Sequence, residues 1–299
     1  MKDTPPIEAS YKARDVEGWL DLHFYRPIGY QLARFFAWLN FTPSMVSFLG
    51  AGCGVLAGHL YFYRDLRLNL CGMALHILTN ALDNADGQLA RLTNRGSLQG
   101  AIVDGFADYI VFASVYLHLA LRFIAEGGSA SIWLLVIAAG FSHALQSMMI
   151  DHYRNAYLQF VTGKRSLDQN SSEHVGTEYA RTSWRTFWKK LGLRNYLNYT
   201  RQQEWLAPRL SELRQAAKAT EWTTDLATQY RTLCQPLVKW CNGLATNARM
   251  IILFLMLIIG HPTWYFWIEV TLFNLLFLYV QTRHAAAFRT LMARLAPAR

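Results

Sequence analysis

The sequence predicts an all-α integral membrane protein with six transmembrane helices, an N-terminal interfacial amphipathic helix and a helical cytosolic insertion between spans four and five. Three observations support this fold class. Of the 299 residues, 53% are hydrophobic and only 16% are charged, against roughly 25% in an average soluble domain. The apolar residues are gathered into runs that approach the ~20 residues of a membrane-spanning helix. Lysine and arginine lie mostly between alternate runs, as the positive-inside rule requires.

The first element is an amphipathic helix within residues 16–40. Apolar residues recur there at helical spacing, among them Trp19, Ile28 and Phe35, and arginines interrupt them. Such a helix suits the membrane interface, with a bend at Pro27. A helix packed against the rest of the protein explains the same pattern, and the sequence does not separate these two interpretations.

Six apolar runs follow. The first begins after Thr42, which can cap a helix, and has Pro43 in its first turn. Its many glycines allow close helix packing. Gly260, His261 and Pro262 break the last apolar stretch and predict a hairpin between two spans. Several runs are shorter than a full span, but polar helix ends inside a bundle make up the difference. The runs cover residues 43–63, 69–82, 101–121, 131–150, 250–259 and 264–280.

The distribution of basic residues predicts the orientation. With both termini in the cytosol, 26 of the 29 lysines and arginines face the cytosol and 3 face outward. The long polar segment between spans four and five is then cytosolic, and its helix formers and aromatic residues indicate folded helices. The predicted divisions are the N-terminus with its interfacial helix (1–42), spans one to four (43–150), the insertion (151–249), spans five and six (250–283) and the cytosolic tail (284–299).

Two other interpretations, a soluble protein and a nucleic-acid-binding protein, are disfavoured. A soluble protein with buried core helices is disfavoured because the apolar runs are too many and too apolar. The net charge of +9 fits contact with anionic lipid head groups and attraction of an anionic substrate. Nucleic-acid binding is not expected, because nothing in the sequence resembles a base-reading motif.

The most informative segment lies between residues 83 and 108. Its first four fixed positions fall at i, i+3, i+4 and i+7 and occupy one face of one helix. Its last three fall at i, i+4 and i+8, again on one face. The short connection makes the two helices antiparallel neighbours, so their carboxylates converge near the cytosolic surface. The residues concerned are Asp83, Asp86, Gly87, Ala90, Arg91, Gly100, Asp104 and Asp108.

This arrangement predicts a divalent metal site. Four carboxylates in one place repel each other strongly unless cations are present. Ligands that are all oxygen favour Mg²⁺, Mn²⁺ or Ca²⁺ over zinc. The small residues beside them leave room for a flat group near the helix backbone, and Arg91 is placed to meet a phosphate. The residues therefore predict a diphosphate-bearing substrate bridged to metal.

The spacing D-x2-D-G-x2-A-R-x8-G-x3-D-x3-D resembles the CDP-alcohol phosphotransferase family, and all eight fixed positions are present. The likeness extends more loosely to the six-span layout, the interfacial helix and the Thr-Pro pair that opens the first span. Many members have Asn after that Pro, where this chain has Ser44. The insertion is not a general feature of the family.

The resemblance implies a transferase that cleaves a CDP-alcohol. An acceptor hydroxyl would attack the β-phosphorus, and CMP would leave. The implied cofactor is Mg²⁺ or Mn²⁺, as two ions, and the family is often homodimeric. By this likeness the metal ligands are Asp83, Asp86, Asp104 and Asp108; Asp104 and Asp108 are the catalytic carboxylates, with Asp108 as general base; and the CDP site is lined by Gly87, Ala90, Arg91 and Gly100, with Asp83 beside it.

The sequence leaves the substrates open. The favoured donor is CDP-diacylglycerol, with a polar alcohol such as glycerol phosphate, inositol phosphate or serine as acceptor. The alternative is a CDP-linked head group, such as CDP-choline or CDP-ethanolamine, with a lipid alcohol as acceptor. A cation transporter and a metal-dependent lipid-binding scaffold are remoter alternatives. Neither of these releases CMP, so CMP release separates the transferase from both.

Overall fold

A computed structural model describes residues 15–163, 171–219 and 222–295. It is 86% helix, and the described residues form no strand, which confirms the predicted all-α class. The helices are α1 (Arg26–Trp38), α2 (Pro43–Tyr61), α3 (Leu66–Leu92), α4 (Leu98–Ala125), α5 (Ile132–Tyr157), α6 (Ser172–Arg181), α7 (Phe187–Leu206), α8 (Pro208–Ala219), α9 (Thr224–Asn242), α10 (Thr246–Ile259), α11 (Trp264–Ile268) and α12 (Asn274–Leu295).

Four helical stretches among the described residues are long and apolar enough to cross a membrane: Pro43–Tyr61, Leu98–Ala125, Ile132–Thr162 and Thr224–Ile259. The protein is therefore a multi-pass membrane protein. Two predicted runs are not among the four. The run 69–82 lies in α3, which carries charges at both ends, and the run 264–280 is divided between α11, a π-helical segment (Glu269–Phe273) and α12. The count of six spans stays a prediction.

The described residues divide into two compact units. The first contains the residues up to His143 together with Asn247–Thr271, and the second contains Ala144–Thr246 and the residues from Leu272 onward. In the first unit, α2 packs against both α3 and α4, and α1 packs against α3. The core of this unit includes the fully buried Tyr61, Leu119 and Phe266.

Glycines in α2 permit its close approach to α4. A Cβ at Gly54 would lie 2.5 Å from a methyl carbon of Val111, and one at Gly58 would lie 2.7 Å from the Ser114 hydroxyl. Real side chains do not tolerate such distances, so α4 can come this near only because these positions have no side chain. Gly52 points elsewhere, and no atom lies within 4 Å of its hypothetical Cβ. The predicted close packing of this helix is thus carried by particular glycines.

Helix α1 has both properties that the sequence left as alternatives: it packs against the rest of the protein, and it exposes an apolar face. Its inner face, including Ala33 and Phe36, is buried against α3. Its outer face presents large apolar side chains, with Phe35 51% and Trp38 75% exposed. A π-helical turn (Asp21–Tyr25) precedes it and ends just before Pro27. The helix therefore packs on the protein and still offers a face suited to lipid.

The hairpin between α10 and α11 lies where the sequence predicted a turn. Gly260 adopts a left-handed conformation, with φ of 81°, and His261 N–H donates to the Met256 carbonyl at 2.9 Å. This is the Schellman pattern that glycine favours at a helix end. Within the hairpin the Nη1 atom of Arg249 donates to both carboxylate oxygens of Glu269, and the two side chains are 4% and 0% exposed. Charges buried this deeply need each other, because a single one would be strongly destabilising.

The second unit is built around aromatic contacts between α5, α9 and α12. The rings of Tyr153 and His284 stack with centroids 4.0 Å apart, and those of Tyr230 and Phe288 lie parallel at 6.2 Å. Helices α8 and α9 both pack on α12. The described part of the predicted insertion therefore consists of folded helices.

Candidate functional site

The end of α3 and the start of α4 position the motif. Helix α3 ends where Asn94 adopts a left-handed conformation, with φ of 53°, and Arg95 N–H donates to the Ala90 carbonyl at 2.9 Å. Asparagine tolerates this conformation better than other residues with a side chain. Helix α4 then begins after Ser97, whose hydroxyl accepts from Gly100 N–H at 3.0 Å. Both helix ends are thus specified locally, and the chain reverses within a few residues.

Three carboxylates come together at this reversal. Asp83 and Asp86 of α3 and Asp104 of α4 each present an oxygen, and these oxygens all lie within 4.8 Å of one another. Asp86 is buried, at 4% exposure, whereas the other two are half-buried. Like charges this close disfavour ionisation unless a cation compensates them. The donor set is all oxygen, so the group fits Mg²⁺ or Mn²⁺ better than a transition metal that prefers nitrogen or sulfur.

Asp108 does not belong to this group of three. It lies one turn after Asp104 on α4, and its side chain is exposed. The structure therefore brings together three of the four predicted carboxylates and places the fourth next to them along the same helix. Its predicted roles as metal ligand and general base stay predictions.

Gly87, Ala90 and Arg91 share the motif face of α3. A Cβ at Gly87 would lie 3.6 Å from both terminal nitrogens of the Arg91 guanidinium. Side chains on a helix lean toward its N-terminus, so the guanidinium reaches back over Gly87 in the direction of the carboxylates. Ala90 is half-buried, as is Gly100 at the start of α4. A positive group thus lies over a backbone surface that has no side chain of its own.

A serine of α2 completes the surroundings of Asp86. The Ser47 hydroxyl donates to Asp86 Oδ2, and Ser47 is itself buried, at 6% exposure. Ser47 lies outside the eight-residue motif. The sequence indicates Ser47 only as a polar residue in an otherwise apolar turn of the first span, a place where polar groups usually have a function.

The back of α3 is fixed by the N-terminal segment. The Gln88 amide donates to the Arg26 carbonyl at 3.1 Å, and the Arg26 side chain pairs with Glu17 at 2.9 Å, with both side chains almost fully buried. Gly29 lets α1 approach so closely that a Cβ there would lie 3.2 Å from the Ala85 backbone nitrogen. The part of α3 that carries Asp83 and Asp86 is therefore fixed in position by its contacts with the N-terminal segment and α1.

A second set of polar contacts reaches α3 one turn before Asp83. The Asn80 amide donates to the Asn247 side-chain oxygen at 2.7 Å, and the Asn247 amide donates to Asp21 at 2.8 Å. Burial raises the pKa of the nearby Tyr25 phenol, and a hydrogen bond with the Asn80 side chain opposes part of that rise. These contacts join the N-terminal segment, α3 and the start of α10 through residues that are far apart in sequence.

These features define a multi-pass helical membrane protein with an acidic site on two antiparallel helices. Residues 40–165 match the family model described as CDP-alcohol phosphatidyltransferase, and this match confirms, for these residues, the resemblance that the motif indicated. This match is evidence for an activity in which a phosphatidyl group is transferred from a CDP-alcohol. A search of curated proteins found no match for the chain. The matched residues contain the whole motif and α2 to α5, and they end before α6.

Proposed function

We propose that the protein transfers a phosphatidyl group from CDP-diacylglycerol to a polar alcohol and releases CMP, in a reaction that depends on Mg²⁺ or Mn²⁺. The observation that carries this proposal is the group of three carboxylates on α3 and α4, inside the residues that match the family. The acceptor would be glycerol phosphate, inositol phosphate, serine or a similar hydroxyl compound. The family description names phosphatidyl transfer, which supports this direction over transfer of a head group to a lipid alcohol.

Asp83, Asp86 and Asp104 would hold the metal, together with Asp108 if a second ion binds. Bound divalent metal would neutralise charge on the diphosphate and on the departing CMP. The Arg91 guanidinium would bind a phosphate oxygen, and Gly87, Ala90 and Gly100 would let the CDP lie against the backbone.

We assign to Asp108 the role of general base for the acceptor hydroxyl. The acceptor hydroxyl would give its proton to the Asp108 carboxylate as its oxygen bonds to the β-phosphorus, and the bond to the CMP oxygen would break. The exposed side chain of Asp108 supports this role, because a base must pass its proton on to solvent before the next turnover. Its position outside the group of three supports it as well.

CMP release tests the proposal. Purified protein in lipid micelles with Mg²⁺ or Mn²⁺ is given CDP-diacylglycerol and a panel of polar alcohols, then CDP-choline and CDP-ethanolamine with diacylglycerol. We expect metal-dependent CMP release with CDP-diacylglycerol and one alcohol, and its loss in Asp104→Asn. Asp225→Asn is the matched control, because Asp225 is exposed on α9, outside the matched residues. Release only with a CDP head group would favour the alternative donor, and no release from any pair would contradict the proposed reaction.

We also infer that six helices span the membrane, that both termini and the carboxylate site face the cytosol, and that the chain forms a homodimer. The distribution of lysine and arginine supports the orientation. Labelling of single cysteines in sealed vesicles tests the sidedness, and cross-linking in membranes tests the dimer.

A further inference from the structure

Helices α6 and α7 form an antiparallel hairpin that lies outside the family match. At one end, Ser172 donates from its backbone N–H and its hydroxyl to the two carboxylate oxygens of Glu204, at 2.8 and 2.6 Å. At the other end, the Lys190 ammonium donates to the Thr182 carbonyl at 2.7 Å. Leu193, fully buried, lies in the core of this region. Because both ends are tied, the junction between the helices is held in one arrangement.

This junction, residues 181–190, is here called the aromatic corner. It presents three large aromatic side chains to the surroundings: Trp184 at 51%, Phe187 at 50% and Trp188 at 80% exposure. Their rings lie close together, with centroids 6.2 Å apart for the first pair and 5.2 Å for the second. Three neighbouring exposed aromatic rings form a contiguous apolar patch, which on a soluble surface usually marks a contact site.

Lys190 keeps the corner in this form. Besides its hydrogen bond, its ammonium lies 4.7 Å from the centre of the Tyr179 ring and 5.1 Å from the centre of the Trp184 ring. Lys190 is buried, at 9% exposure, so these cation–π contacts are partly shielded from water and correspondingly stronger. Trp184 is therefore turned outward by a contact from behind, and the patch is formed before any partner binds.

The corner is also basic. Arg181, Arg185 and Lys189 are exposed, and residues 181–190 contain no acidic residue. Lys189 pairs with Glu178, whose carboxylate lies 3.7 Å from the ammonium. Both of these side chains are 42% exposed, so the pair is weak and leaves most of the positive field in place.

The cluster of exposed aromatic side chains is confined to the first turn of α7 and the residues just before it. The middle of the helix exposes polar residues, among them Arg194, Asn198 and Gln202, and a single exposed tryptophan, Trp205, follows near its end. A helix that lay flat in a membrane would carry apolar residues along its whole length. The polar middle of α7 therefore disfavours contact along the full helix and fits contact through the corner.

We propose that the aromatic corner docks on an anionic lipid surface, with Trp184, Phe187 and Trp188 entering the interfacial layer and the basic side chains contacting lipid phosphates. Tryptophan is enriched at membrane interfaces, and cytosolic leaflets carry the anionic lipids that attract clustered lysine and arginine. A protein partner or a second copy of this chain would not require cations to alternate with aromatic rings. The proposal concerns the insertion and does not depend on the transfer reaction.

Fluorescence quenching in the full-length protein tests it. A cysteine reporter labelled with a polarity-sensitive dye is placed at Thr186, in the corner, and at Asn198, in the polar middle of α7. Cys53 and Cys71 are replaced by alanine, the other two cysteines are buried, and the same background without a reporter gives the blank. The protein is reconstituted in vesicles of phosphatidylcholine with or without phosphatidylglycerol, and a nitroxide on the acyl chain is the quencher.

We expect quenching at position 186 to exceed that at position 198 at least twofold in vesicles with phosphatidylglycerol. The double variant Arg185→Gln, Lys189→Gln should lower it to the level in pure phosphatidylcholine, and Trp188→Ser should lower it in both. Equal quenching at the two positions would overturn the proposal, and so would quenching that ignores anionic lipid. A blue-shifted reporter at 186 that is not quenched, and whose shift depends on protein concentration, would indicate a second copy and would also overturn it.

Discussion

The substitution Ser47→Ala tests whether the Ser47 hydroxyl orients Asp86 for metal binding in the acidic site. The Ser47 hydroxyl donates to Asp86 Oδ2 inside the packed contact of α2 and α3, where both residues are nearly inaccessible. The substitution removes one hydroxyl and adds nothing to the volume. Its main effect is to take a donor from a buried carboxylate, which then has one fewer contact to set its orientation.

The size of the effect follows from the charge of the acceptor. A hydrogen bond to a charged group contributes about 1.5–3 kcal/mol, and loss of a group that orients a metal ligand typically costs 10–100-fold in metal affinity. Asp86 shares the site with Asp83 and Asp104, so the lower end applies. We expect the Mg²⁺ or Mn²⁺ concentration for half-maximal activity to rise about tenfold, while activity at saturating metal stays close to that of the wild type.

The assay is CMP release titrated with metal, alongside a metal titration followed by thermal unfolding. Ser114→Ala is the matched control, because Ser114 is a buried serine between α2 and α4 that donates to the neutral Val55 carbonyl at 3.2 Å. Ser47→Thr keeps a hydroxyl and should retain most of the metal affinity. An unchanged metal dependence in Ser47→Ala would refute the reasoning, and so would an equal change in Ser114→Ala.

The remaining predictions concern the base, the CDP surface and the packing of α1. Asp108→Asn should lower turnover at least ~100-fold, the contribution of a general base, with CDP binding by calorimetry unchanged; full turnover would exclude that role. Gly87→Ala should raise the KM for the CDP donor about tenfold without lowering Tm, since the new methyl would meet only the guanidinium at 3.6 Å. Gly29→Ala should destabilise by about 1–3 kcal/mol, seen as a lower Tm, because its Cβ would lie 3.2 Å from the Ala85 nitrogen; Gly52→Ala, with open space around it, should not, and equal shifts in both would contradict this account.

The acidic site was largely predictable because its information is local. Asp83 and Asp86 share a helix face by their spacing, Ser97 and Asn94 mark the ends of two helices, and a short connection leaves only an antiparallel arrangement. These rules place Asp104 opposite the first two carboxylates. The same rules did not separate Asp108 from the group. They specify the face of the helix that a residue occupies, but they do not say whether a displacement of about 5.4 Å per turn along the axis takes it out of reach of a site.

What the sequence could not supply depends on contacts between distant segments. The hydrogen bond from Asn80 to Asn247 joins residues 167 positions apart, and nothing local to either residue indicates the other. Lys190 likewise reads as a surface charge in a basic stretch, yet its ammonium is buried between Thr182 and two rings. Local pattern predicts which face a residue occupies, whereas its partner is determined by tertiary packing.

The ion pair between Arg249 and Glu269 bears on how the protein is made. A lone arginine or glutamate entering the hydrocarbon of the bilayer costs several kcal/mol, whereas the paired side chains within the hairpin of α10 and α11 largely cancel each other's charge. In the six-span arrangement proposed above, we therefore expect the segments on either side of Gly260 to leave the translocation channel together, as one hairpin, and not one after the other. Biogenesis of the C-terminal part would then wait until the ribosome has synthesised Glu269, and a ribosome-bound chain stopped just before it would keep Arg249 outside the lipid.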